Sequence, residues 1–272
     1  MKLLHRSLVL CAVLLLVVGC GKSPAPAQDT SAPSSAASTS GPNGVHVDTE
    51  RYAIDITYPP LSPQADALAR ILHQRAAAAR RAFMKVVPEA GQHPALADRK
   101  LQLMLEFEVA SRTPGFISVR EKGAMDTGGA HPVPLIGTFV FDLKAKRTVS
   151  LDDLFSDPKA MRTTLAAYAR KALHAKLLDK VPGGDKTSPE VRAQWQANMR
   201  GMIDPGTEPT AKNFSHFLIA GGGLDKPVSL TLVFPPYQVA PYVYGVQTVH
   251  VPLKVFAAGL KPRYRPAFGL AP

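Results

Sequence analysis

The sequence predicts an α+β fold: mixed antiparallel sheets with flanking helices, arranged as two small subdomains. Three observations carry this. Leu101, Leu103, Leu105, Phe107 and Val109 alternate with polar or small residues, apart from Met104, as in a half-buried strand. Apolar stripes at helical spacing follow Ser62-Pro63 and Asp157-Pro158, pairs that cap and start helices. Strands and helices then mix without the regular alternation of a parallel βαβ sheet. The 272 residues are 46% hydrophobic and 19% charged, which supplies a core and argues against wholesale disorder.

Lys2 and Arg6 precede an unbroken apolar run over residues 8–18. A helix of that length falls well short of a bilayer core, which suits a secretory leader rather than a span. The run ends in Val17-Val18-Gly19-Cys20, which resembles the bacterial lipobox. That resemblance implies cleavage before Cys20, diacylglycerol on its thiol and an acyl group on the new amine, a stable membrane anchor. Residues 1–19 are then a lipoprotein signal peptide. Gly21 in place of Asp points to the outer membrane, facing the periplasm. With Cys11 removed and Cys20 acylated, no intrachain disulfide is expected. Residues 20–45 read as a lipid-anchored tether. Of the 22 residues 23–44, 19 are Ser, Ala, Pro, Thr or Gly, with nothing to bury and a reach of roughly 25 Å.

The body is expected from residue 46. Tyr52, Ile54, Ile56 and Tyr58 make a strand that Pro59-Pro60 ends. A helix should follow from Ser62-Pro63 to about Val87, with Leu68, Leu72 and Phe83 inward and Arg75 snorkelling from among them. After the strand at Leu101 come strands over residues 116–120 and 135–143, separated by a tight loop, Asp126-Thr127-Gly128-Gly129-Ala130-His131-Pro132. Asp157 caps a helix with Met161, Leu165, Tyr168, Ala169 and Ala172 inward, and Ser188-Pro189 opens another, to about Arg200. Residues 214–219 and 228–234 read as a hairpin through Gly221-Gly222-Gly223, and residues 246–253 as a last strand. Residues 257–272 read as a loosely ordered basic tail.

Four stretches stand in a telling order. They are Tyr52-Ala53-Ile54-Asp55-Ile56-Thr57-Tyr58-Pro59; Ser118-Val119 through Gly128-Gly129-Ala130-His131; Phe139-Val140-Phe141-Asp142-Leu143 with Ser150-Leu151-Asp152-Asp153-Leu154-Phe155; and Pro236-Tyr237-Gln238-Val239-Ala240-Pro241-Tyr242 with Gly245 and Val251-Pro252-Leu253. Together they resemble the paired extracytoplasmic domains of the RsiV-like family, which takes in the N-terminal region of the peptidoglycan deacetylase PdaC. The resemblance implies a PdaC N-terminal-like domain over residues 46–147 and an RsiV C-terminal-like domain over 148–256. A lipobox replaces the family's cytoplasmic sigma-binding segment and transmembrane helix, and no deacetylase domain follows in this sequence. Neither of those roles carries over, and a binding role remains.

No nucleophile elbow, Ser-x-x-Lys or His-Glu-x-x-His motif occurs, and no two of the eight histidines lie within five residues. No catalytic residue, metal or cofactor is therefore assigned. His131 is the most enzyme-like residue, a general base with Asp126 as its orienter; the alternative is a local turn. Asp152 and Asp153 cap a short turn rather than share a proton. Tyr237, Tyr242 and Tyr244, set among prolines, offer an aromatic surface for stacking on sugar rings or packing on a protein; the alternative is a structural loop. The net charge of +11 favours anionic partners, while export excludes nucleic acid. The expected protein is a non-enzymatic envelope lipoprotein that binds peptidoglycan fragments, an anionic envelope polymer or an envelope protein. The candidate ligand-binding residues are Tyr237, Tyr242, Tyr244, His131 and Asp126. A lysozyme-binding or lysozyme-inhibiting protein is the second reading, against which like charge argues. An envelope-polymer hydrolase or deacetylase using His131 is the third.

Overall fold

The computed structural model of the chain describes residues 37–41, 43–96, 98–221 and 228–271. The leader, Cys20 and the first part of the expected tether lie outside them. Residues 37–48, expected as tether and the first turn of the body, form a hairpin instead, β1 (Ala37–Gly41) and β2 (Gly44–Asp48). The reason is backbone pairing: β1 forms through its register with β2, and its sequence, Ala-Ser-Thr-Ser-Gly, has no apolar alternation that patterning would detect.

β3 (Tyr52–Thr57) pairs antiparallel with β2 and parallel with β4 (Leu101–Arg112). A parallel pair needs a long crossover, and α1 (Asp66–Gln92) supplies it. The chain enters α1 through a 3-10 turn, Pro63–Ala65, and Ser62 makes no side-chain cap. Pro88 does not stop the helix near Val87, because Ala90 is buried in the core and holds the last turn in place. The alternation from Leu101 onward is realised in β4, where Leu101, Leu103, Leu105 and Phe107 are buried and their neighbours exposed. β5 (Phe116–Asp126), β6 (Val133–Asp142) and β7 (Arg147–Thr148) complete a seven-stranded sheet in sequence order, antiparallel except at β3–β4.

The second half is α2 (Pro158–Leu177), α3 (Pro189–Gly206) and a three-stranded antiparallel sheet of β8 (Phe217–Ala220), β9 (Ser229–Phe234) and β10 (Gln247–Val251), followed by α4 (Leu253–Phe256). Asp157 caps α2 by accepting from Ala160 N–H at 3.0 Å, as expected. The Asp152-Asp153 pair forms a 3-10 turn in which Asp153 accepts from the Ser150 N–H at 2.8 Å and Asp152 pairs with Arg162.

The alternate faces of the large sheet carry two cores. Ile54, Ile56, Leu103, Leu105, Ile117, Val119 and Phe141 pack beneath α1 with Leu68, Leu72 and Phe83. Arg75, expected to snorkel, instead forks onto the buried Glu121 carboxylate of β5, with Nε 2.8 Å and Nη2 2.6 Å from its oxygens. Room for that carboxylate comes from Gly137, directly opposite on β6, where a Cβ would lie 2.5 Å from Glu121 Oε2. On the other face, Phe116 and Val140 join α2, α3 and the small sheet in the larger core. There the outer edge of β8 rests on hydroxyls. Ser118 Oγ accepts from Ile219 N–H (3.0 Å) and donates to Ile219 O (2.9 Å), Ser111 Oγ donates to the same carbonyl, and Thr138 Oγ1 accepts from Phe217 N–H (3.0 Å).

The C-terminal segment corrects the expectation of a loose tail. Residues Pro262–Phe268 form a 3-10 run with Tyr264 and Phe268 buried 5.7 and 6.1 Å from the Phe116 ring. Two aromatics four residues apart outweigh the one charge between them, Arg265.

Candidate functional site: an aromatic cluster built by two loops

The first loop is the β5–β6 turn. Asp126 Oδ1 accepts from Gly128 N–H at 2.9 Å, and its Oδ1 and Oδ2 both accept from Arg99 Nη2, at 3.1 and 2.8 Å, while Arg99 Nη1 donates to Gly129 O at 3.4 Å. Gly128 takes a positive φ of 90° that a side chain would resist. Burial pushes the Asp126 carboxyl up, but the Gly128 N–H and the Arg99 guanidinium more than reverse this and hold it below its usual range. Asp126 thus fixes the turn and does not orient His131. The turn delivers His131 to the surface, with Nδ1 3.1 Å from Pro132 O.

The second loop joins β9 to β10. Buried Val239 and Ala240 anchor it, and Gln238 Nε2 ties it to the end of α3 by donating to Gly206 O and Asn213 O, both at 2.9 Å. Tyr237 donates its N–H to Ala240 O and sits at φ +70°, a left-handed conformation that costs a tyrosine on the order of 1–2 kcal/mol. A 3-10 turn, Tyr242–Tyr244, then closes on Gly245.

The loops place three rings together. His131 stacks on Tyr242 with centroids 4.3 Å apart and planes 22° apart, and Tyr237 lies 5.7 Å from Tyr242 and 6.3 Å from His131. A consistent tautomer follows: Nδ1–H donates to Pro132 O, and Nε2 accepts from the Tyr237 hydroxyl at 3.1 Å. Tyr242 donates to the same Pro132 carbonyl at 3.3 Å. Six large hydrophobics are exposed among the described residues; three of them, Tyr237, Val243 and Val246, belong to the second loop, and a fourth, Val133, opens β6 directly after the first.

Of the residues expected from sequence, the structure therefore unites His131, Tyr237 and Tyr242. Tyr244 turns inward, 5.8 Å from Trp195, and donates to Lys180 O at 3.1 Å. Arg99, Val133 and Val243 were not foreseen; an arginine 27 residues before its carboxylate leaves no local signal. Among the described residues, no three His, Cys, Asp or Glu gather as a metal site, and no helix is long and apolar enough to cross a membrane. The cluster offers ring faces and hydroxyls on a surface, which suits stacking against a ligand.

A sequence profile of the family described as "Protein of unknown function (DUF3298)" matches residues 152–254, a stretch that holds Tyr237 and Tyr242 but not His131. Among solved structures, a DUF3298 family protein from Pseudomonas aeruginosa PAO1 aligns with a TM-score of 0.50 at 21% identity, over 78% of this chain and 85% of that one. A member of the same family from Bacteroides fragilis NCTC 9343 aligns with a TM-score of 0.57 at 16% identity, over 86% and 96%. No curated protein matches the chain. The chain is thus similar to DUF3298 over that stretch and shares its fold with these two proteins.

Proposed function

We propose that the protein is a non-enzymatic binding module of the cell envelope, anchored through Cys20 in the outer membrane, and that His131, Tyr237 and Tyr242 receive a peptidoglycan glycan. One observation carries the reading: three rings, locked to each other and to Pro132, are held at the surface by a strained tyrosine backbone. Strained residues kept outside the core concentrate at binding sites. Flat sugar faces stack on such rings, and the hydroxyls bond their polar rims. The motif order that resembles RsiV-like and PdaC N-terminal domains supports an envelope role. The engagement of Asp126 by Arg99 supports this reading over a hydrolase in which Asp126 orients His131.

The test is co-sedimentation of the full chain with purified sacculi, beside lipopolysaccharide and lysozyme arms. Saturable retention on sacculi that survives about 0.3 M salt, and that falls at least tenfold in Tyr242→Ala, is the expected result. Retention that disappears with salt would leave only the net positive charge as the cause, and retention that the variant leaves intact would remove the aromatic cluster as the site. Binding in the lysozyme arm alone would replace the glycan by a protein partner.

A further inference from the structure

A cavity that shares no lining residue with the aromatic cluster has apolar walls and a cationic rim. It holds about 590 Å³ between the β4–β5 turn, the β6–β7 turn and the C-terminal 3-10 run, a size common to small-molecule sites, which span roughly 300–1,000 Å³. Pro114, Ala145, Pro266 and Ala267 line it with apolar surface, together with the Phe116 and Tyr264 rings. Lys144 and Arg263 bring two cations to it, and neither joins any ion pair among the described residues. Arg263 is already oriented: its guanidinium lies 4.6 Å from the Tyr264 ring centroid, and its Nη2 donates to the Tyr264 hydroxyl at 3.0 Å. The carboxylate that also lines the cavity, Asp142, is turned to the backbone, where Oδ1 accepts from Lys144 N–H (2.9 Å) and Ala145 N–H (2.8 Å).

We infer that this cavity binds an anionic amphiphile, its chain against Pro114, Ala145, Pro266 and Ala267 and its charged head on Lys144 and Arg263. An apolar wall alone would favour a neutral ligand and a cationic rim alone would collect small anions; the two together select a molecule with both parts. A carboxylate or a phosphate head meets the same demand. The inference is independent of the aromatic cluster and its ligand.

Isothermal titration of the full chain with decanoate and with decyl phosphate, both below their micelle-forming concentrations, tests it and separates a fatty-acid source from a phospholipid one. Decanol and inorganic phosphate serve as half-ligands. One molecule of at least one anionic amphiphile should bind per chain. Affinity should fall at least about tenfold in Lys144→Gln/Arg263→Gln, and also in Ala145→Trp, which fills an exposed position of the wall without touching charge. The inference is overturned if neither amphiphile binds the unaltered chain saturably, if decanol or phosphate binds as tightly as the amphiphile, or if both variants leave affinity unchanged.

Discussion

Along β5, Ile117, Val119 and Glu121 serve the core under α1, whereas Phe116 and Ser118 serve the core shared with the small sheet. The helix satisfies its own backbone, so the first face is closed by apolar side chains and one buried ion pair. A strand edge does not satisfy its own backbone, so the second face carries hydroxyls where β8 lands. What covers a sheet therefore dictates which side chains its strand must carry: oil beneath a helix, oil and hydroxyls beneath an edge.

The comparison is sharpened first at its largest side chains. Phe83 under α1 and Phe116 under the small sheet are both fully buried, and truncating either to Ala should cost about 3–5 kcal/mol in urea unfolding. They should differ in consequence, since only Phe116→Ala removes a ring on which both Tyr264 and Phe268 pack. Limited proteolysis should then cut the C-terminal run in that variant alone; equal protection in both would erase the distinction. Arg75→Ala comes next. It strands the Glu121 carboxylate, and about 3 kcal/mol is expected, the low end for a broken buried pair because Arg75 is itself 37% exposed. Glu121→Gln in the same background should recover most of the loss.

Ser118→Ala should cost about 1–3 kcal/mol, since it orphans Ile219 N–H in a buried interface. A cost near zero would show that the hydroxyl contacts are incidental. The smallest effect is pH-dependent. Burial lowers the His216 pKa from its ordinary 6.5, with Glu121 opposing and Arg75 assisting. The unfolded chain then binds the extra proton first, so stability present at neutral pH is lost as pH falls below about 6.5 toward the lower folded value. Unfolding melts across that window should flatten in His216→Gln.

The two faces were unequally legible. Alternation at Leu101–Phe107 and the capping Asp157 are local patterns, and they gave β4 and α2 directly. Ser111, Ser118 and Thr138 carry no local sign of their role, because nothing nearby says that a strand edge from 79 to 108 residues later will cover them. β1 was missed because it forms by backbone pairing to β2, whereas β2 does carry a signal, the alternating Val45 and Val47 that reach the core under α1. The site was legible in pieces: His131 as a base and Tyr237 and Tyr242 as a surface, drawn from loops 106 and 110 residues apart that only the docked layers bring together. Tyr244, on the same loop, turns inward because 3-10 geometry points it away from Tyr242 and toward Trp195.

The seven tyrosines supply the most direct test of the aromatic cluster as a glycan site. With tyrosine rings isotopically labelled in the full chain, titration with soluble muropeptides should shift the Tyr237 and Tyr242 resonances saturably and together, and leave Tyr52, Tyr168 and Tyr244 in place. Unmoved Tyr237 and Tyr242 resonances at saturating muropeptide, or shifts confined to other tyrosines, would contradict the account.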